Sequence, residues 1–291
     1  MRPGAISPRV RLRAWIAAAG LADAPIEQLE RLSLDGFLEQ TAAIALPGDE
    51  RLRELAILIE PAAVASPQPR GWTMLLRLYA KAARQAPENP WLGHSQAVAA
   101  LSCADRRLPD PVRAQIFADA RAALETALFS HPREARLLEA LGELCYRSGL
   151  LEEASSWCAR ALRVDPGLAW ASLYRAQALM DLEHWAEAAV AFEVVPASLF
   201  VGPAAWRQAR LLEQRGWCRV KTADNAGALR DFEQALAIYE LDPELAERAM
   251  SRILVTAAAR IFPAALRSRT LAVAHEVHWR WAQDMLTPVE D

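Results

Sequence analysis

The stretch Leu138–Pro166, LEALGELCYRSGLLEEASSWCARALRVDP, reads as two amphipathic helices around a short turn. Leu138, Leu141 and Gly142 lie on the first helix, Ala154, Cys158 and Ala161 on the second, and Pro166 stops it. Two later stretches fit the same frame. In Ser172–Val195 the pair Arg175-Ala176 precedes Ala188 and Phe192, and in Leu212–Pro243 the pair Arg215-Gly216 precedes Ala228, Phe232 and Ala235. Twelve positions carry Gly142 to Ala154, Ala176 to Ala188 and Gly216 to Ala228. Small residues at these offsets let two backbones approach, and Leu138, Leu141, Phe192, Leu212 and Phe232 fill the space between them. One helical pair cannot bury its apolar face alone, so a repeated pair predicts an all-α solenoid of stacked units with capped ends.

Upstream the frame weakens. Trp72, Leu75, Tyr79 and Ala82 before Pro87 have the spacing of a second helix, and Trp91–Ala104 reads as the first helix of the next unit. Ile116, Ala120, Leu124 and Ala127 then run to Pro132, after a loop at Arg106–Pro111 that makes this unit the longest and is a place for specificity. Pro61–Gly71, with Pro67 and Pro69, reads as a linker. The expected organisation is an N-terminal helical cap over 1–66, a repeat array over 72–260, clearest over 135–243, and a C-terminal capping helix over 261–291.

Composition agrees with a folded helical chain. The 291 residues are 53% hydrophobic and 24% charged, enough for a sizeable core. A formal charge of -3 lacks the basic face that phosphate binding demands, and Arg2, Arg9, Arg11 and Arg13 read as a solvated helix face. No nucleic-acid partner is therefore expected. No segment offers the run of about eighteen apolar residues that a membrane span requires. Cys103, Cys145, Cys158 and Cys218 form no C-x-x-C pair and stand in helical patterns, so they are expected as small packing groups in a reducing compartment, and the location as cytoplasmic.

Catalytic patterns are scarce. His275-Glu276-Val277-His278 puts two imidazoles three residues apart on an expected helix, one residue short of the H-E-x-x-H zinc spacing, and reads as an amphipathic capping helix. The sequence holds no phosphate loop, nucleophile elbow or dinucleotide fingerprint. A non-catalytic protein without cofactor or metal is the expectation.

On Leu138, Leu141, Gly142, Ala154, Ala161 and Pro166 the chain resembles the tetratricopeptide repeat family, with Cys145 and Cys158 where that family usually has aromatics. The second unit departs from the pattern, because Val194-Val195-Pro196 ends its second helix early. The resemblance implies a right-handed superhelix of antiparallel pairs that binds a peptide or partner protein in a concave groove lined by the first helix of each pair. The residues it points to are Arg136, Glu139, Glu143, Tyr146 and Arg147 in the first clear unit, and Trp170, Leu173, Gln177 and Met180 in the second. The third unit contributes Arg210, Glu213, Trp217 and Lys221. Trp, Tyr and Arg are the types that most often carry binding energy. The clamp for acidic chaperone tails is not expected, since Ala140, Glu143, Tyr174 and Gln177 stand where that clamp needs amides and cations. The alternative to a groove-binding adaptor is a scaffold that self-assembles as a homo-oligomer or serves as regulatory subunit of an enzyme or secretion complex.

Overall fold

The computed structural model describes residues 76, 79–80, 89–104, 110–196, 199–200, 205–242, 252–278 and 280–286. All regular structure among them is helical. The helices are α1 Pro90–Ala104, α2 Asp110–Ser130, α3 Ala135–Arg147, α4 Leu151–Val164, α5 Ala169–Asp181, α6 Trp185–Glu193, α7 Ala205–Lys221, α8 Asn225–Leu241, α9 Arg252–Ile261, α10 Ala264–Glu276 and α11 Arg280–Leu286. The expected cap over 1–66, the linker Pro61–Gly71 and most of the Arg106–Pro111 loop lie outside the described residues. Described residues up to Leu150, with 163–165, form one compact unit; 151–162 and the described residues from Pro166 onward form another.

In the first unit α1, α2 and α3 pack on one another. The buried stripe Phe117, Ala120, Leu124, Ala127 and Leu128 repeats every three or four residues along α2 and turns that face inward. Gly93 allows α1 to lie close, because a β-carbon there would stand 3.0 Å from the Ala123 carbonyl oxygen. The Gln96 side-chain amide donates to the Asp119 carbonyl at 3.4 Å, a second tie between α1 and α2. Burial holds the imidazole of His94 below its ordinary pKa of 6.5; the nearby Arg136 pushes the same way and Glu134 opposes.

In the second unit each helix from α5 to α8 packs on the next. Phe192, fully buried, fills the space beside the small Ala176 and Ala188 together with Leu173, Leu179 and Leu211. Gly216 admits Phe232 in the same way, since a β-carbon there would meet the Phe232 ring at 3.1 Å. Phe232 also meets Phe262 with ring centroids 5.3 Å apart. Around that pair Leu236, Tyr239, Leu254, Leu266, Val273 and Leu286 join one core, each large side chain contributing about 1.5–3 kcal/mol by leaving water.

The turns between paired helices share one geometry. Gly149, seven positions after Gly142, has φ +77°; its N–H bonds the Tyr146 carbonyl, and the Leu150 N–H bonds that of Cys145. Glu183 and Ala223, seven positions after Ala176 and Gly216, repeat this left-handed helix stop with φ 64°. Their following residues, His184 and Asp224, reach back to Leu179 and Arg219. Asp224 then caps α8, accepting from the Gly227 N–H at 2.9 Å.

The C-terminal expectation needs correction. The single capping helix over 261–291 is two helices: α10 ends at Glu276, and His278 stands at φ 57° before α11 begins. The two imidazoles of the His275–His278 motif therefore do not share a helix face. The early stop of α6 agrees with the sequence, its last helical residue being Glu193, three before Pro196.

Candidate partner-binding surface

The side chains expected along the first helix of each pair divide by burial. On α3, Arg136 is exposed and its guanidinium donates to Glu139 at 2.9 Å, while Arg147 and Glu143 stand 3.7 Å apart. Tyr146 is half-buried. Glu139 is itself buried, so it serves Arg136 rather than a surface.

On α5, Trp170 is half-buried; its ring stacks on Tyr174 with centroids 6.0 Å apart and meets the edge of Phe200 at 5.9 Å. Gln177 is half-buried and its side-chain amide donates to the Gln214 side-chain oxygen Oε1 at 3.5 Å, joining α5 to α7. Met180 packs against the core that contains Phe192, and Leu173 belongs to that core. Leu173 is thus corrected from lining to core residue, because it is 6% exposed within that cluster.

On α7 the expected residues separate further. Arg210 and Lys221 are exposed and Trp217 is half-buried. The Lys221 ammonium lies 5.3 Å from the Trp185 ring centroid and 5.4 Å from that of Trp217, so one cation bridges two indoles. Glu213, by contrast, is 1% exposed and accepts from the Tyr239 hydroxyl at 2.8 Å. It is a core group, not a lining one. Burial, and then the charge of Glu213, raise the Tyr239 pKa and keep the phenol protonated as the donor. With Glu213 withdrawn, the expected α7 set that remains at the surface is cationic and aromatic.

Sequence reasoning missed the polar knot behind this surface. Arg215 binds Asp231 through two bonds, at 3.1 and 2.6 Å, and Arg219 donates to the same carboxylate at 2.7 Å and to Glu193 at 2.5 Å. Asp231 is 1% exposed, and the two guanidinia offset the cost of burying its charge. The spacing Arg215, Arg219 on one helix face was the available signal. Cys145, Cys158 and Cys218 are buried, and burial pushes the Cys218 thiol up to about 12, far from the thiolate form. Among the described residues no group of three or more His, Cys, Asp or Glu is placed to hold a metal, and no helix is long and apolar enough to cross a membrane.

Comparison with known proteins places this architecture. Residues 112–169 match the tetratricopeptide repeat family. No curated protein sequence matches the chain. Among solved structures, one described as the functional characterisation of Pseudomonas aeruginosa pilF is similar at 16% identity over 84% of this chain and 100% of that one, with TM-score 0.51. A tetratricopeptide repeat protein from Parabacteroides merdae is similar at 14% identity over 94% of this chain and 97% of that one, with TM-score 0.50. Such identities speak to fold alone. The family match over 112–169, the helical pairs and the repeated left-handed turns together make this chain similar in fold to the tetratricopeptide repeat proteins.

Proposed function

We propose that this chain is a non-catalytic adaptor that holds a peptide or partner protein against the exposed and half-buried side chains of α5 and α7. The fold supports protein–protein interaction in general. The observation that carries the finer reading is the set Trp170, Gln177, Arg210, Trp217 and Lys221: two half-buried indoles and two exposed cations on two helices tied by Gln177 and Gln214. Half-buried aromatics are already ordered, so a partner covers them with little loss of side-chain freedom, and arginine supplies directional donors. The removal of Glu213 from the surface favours a partner segment with acidic residues. The location follows the sequence expectation, cytoplasmic, with the buried thiol of Cys218 as its support.

Site-specific photo-cross-linking in the native cell tests this. A photoreactive residue replacing Arg210 is expected to trap a discrete protein partner, one replacing the exposed Gln234 on α8 to trap none, and Lys221→Glu to weaken the Arg210 cross-link about tenfold, or about 1.4 kcal/mol. Equal trapping at both positions removes the reading.

A scaffold reading draws on Val190 and Val194, one turn apart near the end of α6 and each 63% exposed. It predicts a concentration-dependent oligomer that Val190→Glu dissolves, read by sedimentation velocity.

A further inference from the structure

We propose that a second site, in the first unit, binds a small amphipathic organic anion: a carboxylate on a hydrocarbon body. The site is a half-open cleft of about 450 Å³ between one face of α2 and the last turn of α3. Its floor is Ala114, Phe117, Ala118, Leu144, Cys145 and Leu150, and its rim carries Arg113, Arg121 and Arg147.

The α2 residues at the cleft, Asp110, Arg113, Ala114, Phe117, Ala118 and Arg121, recur at three- and four-residue steps and so form one helix face. This face differs from the core stripe, which continues through Ala120, Leu124 and Ala127. The cleft exists because Ala114 and Ala118 are small where a Leu would fill it. Its volume falls in the range of about 300–1,000 Å³ typical of sites for small organic molecules.

The donors of the rim select the head group of the occupant. Arg113, Arg121 and Arg147 each stand beside a carboxylate, so the rim offers guanidinium N–H donors rather than uncompensated charge. The guanidinia are held by carboxylates on their own helices: Arg113 by Asp110, Arg121 by Glu125 at 2.8 Å and Arg147 by Glu143 at 3.7 Å. Such one-turn surface pairs are weak, and a guanidinium carries five donors, so a ligand carboxylate can be added without first dismantling the site. Arg113 and Arg121 are eight residues apart, about 12 Å along the axis, so they flank the apolar floor rather than crowd one end of it. An anionic head then meets the rim while a hydrocarbon body covers Phe117 and Leu144. A neutral hydrocarbon would waste the rim, and an inorganic anion would waste the floor.

Calorimetric titration of the full chain with decanoate, kept below its micelle concentration, tests the proposal, with decylammonium as the cation of equal length. Saturable one-to-one binding of decanoate alone is expected. Arg113→Gln with Arg147→Gln should weaken it at least tenfold, and so should Ala118→Leu, which fills the floor at an exposed helical position and leaves every charge in place. Should the double variant fail to fold, as judged by circular dichroism, Ala118→Leu alone decides. Absence of saturable binding, equal binding of decylammonium, or full affinity in the Ala118→Leu protein overturns the site. So does a dimer of the unliganded chain, seen by sedimentation equilibrium and dissolved by Ala118→Leu, because the cleft is then a contact between copies.

Discussion

Glu183 and Ala223 occupy a backbone conformation that suits glycine, as Gly149 shows at the equivalent turn. A non-glycine residue in the left-handed region costs about 1–2 kcal/mol, partly offset by the lower entropy of its unfolded chain. Glu183→Gly and Ala223→Gly are therefore each expected to stabilise by about 0.5–1 kcal/mol, and Gly149→Ala to destabilise by about 1 kcal/mol, in thermal denaturation. Arg175 provides a second contrast. It holds the register place of Arg215, but Ala191 stands where Asp231 stands in the next unit, and the Arg175 Nε is buried without a hydrogen-bond partner. Arg175→Leu is accordingly expected to be neutral or stabilising in urea titration, whereas Arg215→Leu should cost about 3 kcal/mol by stripping a buried carboxylate of one of its partners. The small residues that set the pairing, Gly142, Ala176 and Gly216, were legible from spacing alone. The burial of Glu139 and Glu213 was not, because one-dimensional periodicity places a side chain on a helix face without showing which acid finds a buried partner such as Tyr239.

At the scale of elements, α1 and α3 meet around His94, whose ring also lies edge-on to Trp91. Burial and Arg136 depress its pKa, with Glu134 opposing, so the unfolded chain binds the proton more readily than the folded one. Stability of the first unit therefore rises with pH through this window: the contribution is complete above about 6.5 and is lost as pH falls towards the depressed value. Melting temperature measured between pH 7.5 and 5 should fall, and His94→Gln should flatten that fall. The helix stop that the sequence reading tied to a proline in this unit agrees, since α2 ends at Ser130, just before Pro132, whereas α2 begins at Asp110, inside the expected loop. The split between α10 and α11 escaped it. His278 adopts a positive φ without any glycine or proline in the stop, so no local residue announced the break.

For the whole molecule, the C-terminal helices are part of the second unit's core rather than an appendage. Leu266, Val273, Ala274, Ala282 and Leu286 share one buried cluster with Phe232 and Tyr239. Truncation after Pro263 is thus expected to abolish the cooperative melting of the second unit and lower helical ellipticity, whatever the oligomeric state. A test of self-assembly has to use surface changes such as Val190→Glu instead.

The knot of Arg215, Arg219 and Asp231 bears on how the repeats find one another during folding. Repeats built on the same small-against-large grammar are interchangeable partners, and a helix that docks on the wrong neighbour is the characteristic error of such chains. Trp157 and Ala191 hold the register place of Asp231 in the other two units, so only α8 brings a carboxylate to that position. If α8 docked on α5 in place of α7, Asp231 would meet Arg175 but find Leu179 where α7 supplies Arg219. A buried acid with one of its two cations missing costs stability, so that docking is disfavoured against the native one.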